Sequence, residues 1–86
     1  MVRDFSAWKA WATLKLLSLK MKYRDNPKIA QDIDVLITKL QYLKLRDLAS
    51  FLVLVHHASA DCEEFLSIMP IEEEVEEWFQ EGGERE

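Results

Sequence analysis

The chain reads as all-α: a small antiparallel helical bundle of three main helices followed by a short C-terminal amphipathic helix. Three observations carry this. Only two Gly and two Pro occur in 86 residues, at 27, 70, 82 and 83, so the turn signals of a sandwich or barrel are missing. The stretches between them are rich in Leu, Lys, Glu, Ala and Met, all good helix formers. The apolar residues recur at intervals of three and four.

The first helix is expected over residues 4–24. Asp4 stands where an N-cap belongs, and Asp25-Asn26-Pro27 ends the run because the residue before a proline is driven out of the α region. Its apolar residues form two stripes. Phe5, Trp8, Ala12, Leu16, Leu19 and Tyr23 fall on one face; Ala7, Ala10, Trp11, Leu14, Leu17 and Met21 fall nearly opposite. An ordinary surface helix has one apolar stripe. Two predict cover from both sides, by the rest of the chain on one and by a partner on the other.

The second helix opens at Pro27 with Asn26 as N-cap, and its stripe is Ile29, Ile33, Leu36, Ile37, Leu40 and Leu43. Lys44 and Asp47 interrupt that stripe, which predicts a tight turn or a kink there, with Asp47 as a candidate cap. A third helix is read from a heptad-like series, Leu48, Phe51, Val55, Ala58, Cys62, Phe65 and Met69, and is expected to run to Met69-Pro70. Ser59 and Asp61 are points where it could loosen. The fourth helix presents Ile71, Val75, Trp78 and Phe79 on one side, with Glu72, Glu73, Glu74, Glu76 and Glu77 filling the rest. Glutamates in its first turn suit the positive end of the helix dipole. Gly82-Gly83 is the expected stop. Residues 1–81 thus form one domain, and 82–86 a flexible acidic tail.

Charge is segregated along the chain. Residues 1–46 hold ten Lys and Arg against four Asp, a balance of +6; residues 47–86 hold one Arg against twelve acids, a balance of −11. The basic half could meet phosphate or an acidic partner, and the acidic half could cover it or bind a basic partner. Alternatively, the two halves only make a small bundle self-complementary.

Chemistry-bearing patterns are sparse. His56, His57 and Cys62 are the only soft or borderline metal ligands close in sequence. Adjacent histidines on a helix diverge by about 100°, and Cys62 lies off the same-face spacing, so no metal site is expected. Cysteine catalysis would need a base and an activated thiolate, and only His57 is near. The glutamates at 72–77 read as a solvated face rather than an acid–base pair. There is no glycine-rich phosphate loop, and no cofactor is expected. Cys62 is the sole cysteine, so no disulfide forms within the chain, and a lone thiol suits the cytoplasm. The longest aliphatic and aromatic run, 51–55, is too short to cross a bilayer, and no membrane association is expected.

These readings favour a non-enzymatic interaction protein, a small accessory or regulatory subunit that works through apolar helix surfaces. The partner-binding candidates are Trp11, Leu14, Leu17 and Met21 on the first helix and Ile71, Val75, Trp78 and Phe79 on the fourth. A second copy is the economical partner, giving a homodimer. The charge split suggests a nucleic-acid-processing assembly as the setting. The alternative is direct nucleic-acid binding through Lys9, Lys15, Lys20, Lys22, Arg24 and Lys28. A small metal- or thiol-dependent enzyme is a further alternative.

Overall fold

The computed structural model describes residues 3–81. It is an all-α globule with no strand among the described residues, built from α1 (Phe5–Lys22), α2 (Pro27–Gln41), α3 (Leu48–Ala58) and α4 (Glu72–Gln80). Two short 3-10 segments, Leu45–Asp47 and Glu63–Ile68, join α2 to α3 and α3 to α4. The expected glycine stop and acidic tail over 82–86 lie outside the described residues.

Both predicted N-caps on the first two helices form. The Asp4 carboxylate accepts from the Ala7 backbone N–H at 2.6 Å, and the Asn26 side chain accepts from that of Ile29 at 3.3 Å, each satisfying a donor that the helix start leaves open. α1 and α2 run antiparallel. The cross-links pair falling numbers with rising ones: Lys20 with Asp34, Thr13 with Gln41, and the Lys9 ammonium with the Leu43 carbonyl.

From Asp61 onward the chain threads back along α1, from its end to its start. Asp61 meets Lys28, Glu64 meets Lys22 and Tyr23, the Ile68 carbonyl accepts from the Trp8 indole at 2.8 Å, and Glu74 meets Arg3. All but one of the inner-stripe residues of α1 are buried, and Tyr23 is half-buried against them. Trp8 is the centre of an aromatic cluster, with Phe51 edge-on at 6.2 Å, Trp78 tilted at 5.6 Å and Phe5 stacked at 6.0 Å. These arrangements suit the negative faces and positive edges of the rings.

Two expectations are corrected and one is borne out with an addition. The third helix stops at Ala58 rather than Met69. The Ser59 hydroxyl donates to the His56 carbonyl at 2.6 Å, and the N–H groups of Ala60 and Asp61 bond three residues back, so the last turn tightens and the chain leaves the helix. Cys62 is extended, and the apolar series resumes in 3-10 geometry. There i and i+3 share a face, which buries Phe65 with Ile68 and leaves Met69 only partly covered. Second, Lys44–Asp47 is a turn, as one of the two expectations had it, but it also buries Leu45, which the helical stripe did not include. Third, Asp47 occupies the N-cap position of α3 without a side-chain capping bond.

Candidate interaction surface

The face of α1 turned from the core is the most unusual surface of the chain. At 100° per residue, an arc of about 140° holds only Ser6, Ala7, Ala10, Trp11, Leu14, Leu17, Ser18 and Met21. None carries a charge, although charged residues make up 31% of the sequence. Leu14 is 68% exposed and Met21 67%, while Leu17 and Trp11 are exposed to a lesser degree. Among the described residues no other element covers them: α2 and the returning 3-10 segment occupy the inner side of α1, and α4 lies at its start. The Arg3 guanidinium rests 4.4 Å from the centre of the Trp11 ring, a cation–π contact that holds the indole against the helix. Leu17, Ser18, Lys20, Met21 and Arg24 line a shallow open depression toward the far end.

The fourth-helix candidates divide. Trp78 is 4% exposed, packs on Phe5 at 5.4 Å and on Trp8, and donates its indole N–H to the Arg3 carbonyl at 2.6 Å. Val75 packs against the same core. Trp78 is therefore corrected from partner anchor to core residue, because it closes the aromatic cluster at the start of α1, while Val75 is half-buried against that core. Ile71 and Phe79 remain about half exposed, but the outer side of α4 between them is carried by Glu72, Glu73, Glu76 and Gln80.

Most of the basic candidates are bound within the chain. Lys20 pairs with Asp34 at 2.6 Å, Lys22 with Glu64 at 2.8 Å, and Lys28 with Asp61 at 3.2 Å and Asp32 at 4.0 Å. Lys9 donates to the Leu43 carbonyl and lies 4.6 Å over the Phe5 ring. Of the six, Lys9, Lys15 and Arg24 make no ion pair within 4 Å among the described residues, and Lys9 is engaged by the Leu43 carbonyl and the Phe5 ring instead. Three pairs, Arg3–Glu74, Lys22–Glu64 and Lys28–Asp61, join the basic half to the acidic half. The charge split therefore ties the C-terminal segment to α1 and to the start of α2, in line with the self-complementary reading.

His56 and His57 are exposed on α3, whereas Cys62 is buried beyond its end. Among the described residues no group of three or more His, Cys, Asp or Glu is placed to hold a metal. Nor is any described helix long and apolar enough to cross a membrane. The Tyr23 hydroxyl donates to Glu64, which pushes the phenol above its ordinary value of 10; nearby Cys62 acts in the same direction.

One surface was not anticipated from the sequence. An open groove of about 630 Å³ lies between the end of α2 and the start of α3, floored by Leu43, Phe51 and Leu54 and edged by Lys39, Tyr42, Asp47 and Ser50. The signal available was Tyr42, an aromatic outside both stripes, which the structure leaves 82% exposed.

No family model, curated protein or solved structure matches the chain.

Proposed function

We propose that this protein is a non-enzymatic protein–protein interaction module, an accessory or regulatory subunit that docks through the outward face of α1. The observation that supports this is the uncharged arc itself. Monomeric soluble proteins rarely leave a contiguous apolar patch of this kind in water, and those that do commonly use it for binding. The rest of the fold has no need of Leu14 or Met21, since the core is complete on the other side of the helix.

The reading does not depend on a nucleic-acid setting, because the lysines that suggested one are largely paired inside the chain. A cytoplasmic location, expected from the lone thiol, belongs to the same proposal.

The test compares wild type with a Leu14→Glu/Met21→Glu variant. Both side chains are exposed, so far-UV circular dichroism and the thermal midpoint of the monomer should be nearly unchanged. Association, read by light scattering and by recovery of bound protein in a pull-down, should be lost. Association that is equal in the two proteins would overturn the proposal.

A further inference from the structure

We propose that the occupant of the α1 face is a second copy of this chain, its α1 packed antiparallel to the first. This deepens the docking reading above and rests on it.

The outward residues follow a heptad. Ala7, Leu14 and Met21 fall at one core position of a two-helix seam, and Ala10 and Leu17 at the other, a repeat that maintains one face toward a partner helix over most of the roughly 27 Å of α1. The sizes along the seam are graded, small near the start and large near the end. An antiparallel partner reverses that gradient. With the two-fold axis between Leu14 and Leu17, each Leu14 meets the other Leu17 and each Met21 meets the other Ala10. At the edge, each Trp11 lies beside the other Ser18. Met21 is thus matched with the small Ala10 and Trp11 with the small Ser18, while the leucines meet at the centre, which is what close packing of a shared core requires. A parallel pair would stack alanine on alanine and methionine on methionine.

Charge agrees with the same alignment. At the end of α1, Lys20 and Lys22 are held by Asp34 and Glu64 of the same chain, whereas Arg24, in the turn that follows, has no ion pair within 4 Å among the described residues. The start of α1 carries Asp4, and α4 with its exposed Glu72, Glu73 and Glu76 is clipped beside it by the Arg3–Glu74 pair. Antiparallel packing brings the Arg24 of each copy toward the acidic start of the other, over the first turn near the second copy's Asp4. A parallel pair would bring the two Arg24 side chains toward each other. The contact is isologous and closes at two copies.

The experiment uses the full chain at roughly 0.1 mM, where a helix–helix contact with micromolar affinity is saturated. Sedimentation equilibrium should give twice the 10.1 kDa of one chain. In a Cys62→Ala background, Ala10→Cys combined with Met21→Cys should yield a covalent dimer on mild oxidation, and neither single variant should. Within one helix these positions are roughly 16 Å apart, beyond disulfide reach, so the bridge must form between copies. Crosslinking by each single variant would indicate parallel packing and overturn the alignment. A wild-type chain that stays at 10.1 kDa overturns the second copy as occupant and leaves the docking face itself to be judged by the Leu14→Glu/Met21→Glu comparison. A dimer that persists in that variant overturns both.

Discussion

Arg3 and Glu74, 71 positions apart, are joined by a fork of two charge-assisted hydrogen bonds, from Nε at 2.8 Å and from the terminal guanidinium nitrogen at 2.9 Å. Glu74 is 3% exposed and also accepts from the backbone N–H groups of Arg3 at 3.3 Å and Ile71 at 3.2 Å, so its oxygens are satisfied out of water. The bond from Ile71 is also the reach-back half of a capping box at the start of α4. Because the Arg3 carbonyl receives the Trp78 indole and its guanidinium covers Trp11, this one arginine fastens α4 to α1 and steadies one end of the outward face.

Arg3→Ala should therefore destabilise the fold by about 2 kcal/mol at neutral pH, since it leaves a buried carboxylate without its main partner while Arg3 itself is one-third solvated. For a domain of this size the thermal midpoint should fall by roughly 10 °C, measured by circular dichroism. Arg3→Lys should recover only part of the loss, because a single ammonium cannot reproduce the fork. A midpoint unchanged in Arg3→Ala would show that the pair does not hold α4.

Acid should act through the same group. The Arg3 fork, reinforced by the two backbone N–H groups, holds the Glu74 carboxyl below its ordinary 4.5, and Lys22 with the Tyr23 hydroxyl does the same for Glu64. A carboxylate whose folded value is depressed adds stability that is complete above the unfolded value and is lost as pH falls through the folded one. Denaturant midpoints should hold steady from pH 7 to near 5 and then fall as pH drops below about 4.5. Arg3→Ala should show a shallower fall. A variant with the wild-type slope would remove Glu74 from the account.

Trp78→Ala should cost about 3–5 kcal/mol, the range for removing a large buried aromatic, and leave a marginal or unfolded chain. Phe79→Ala, one residue on and half exposed, should stay within about 0.5 kcal/mol. Equal effects in urea melts would contradict the assignment of Trp78 to the core.

The Cys62 thiol, buried against the core, should react with a thiol reagent at the rate of global or local opening. Reaction should become complete within seconds only in denaturant. Fast labelling of the native chain would mean that the segment after α3 opens freely.

The fold class, the start of α1 at Asp4, the start of α2 at Asn26-Pro27 and the inner stripe of α1 were legible from the sequence because each rests on local physics. Caps, proline geometry and a 3.6-residue period act within a few residues of the backbone they shape. The outward stripe was legible for the same reason, and the described residues leave it uncovered. Other features needed the tertiary structure. The heptad-like series after Leu48 could not reveal that its second part would be wound as a 3-10 turn, since Phe65 and Ile68 become neighbours on one face only once the helix has ended at Ala58. Nor could a stripe of Ile71, Val75, Trp78 and Phe79 tell whether its aromatics serve a partner or the chain. That was decided by the opening beside Phe5 and Trp8, formed by residues some 70 positions away, and by an arginine at position 3 that pairs with Glu74. Periodicity specifies which side of a helix is apolar; what meets that side depends on contacts between distant parts of the chain, and these exist only once the helices have packed.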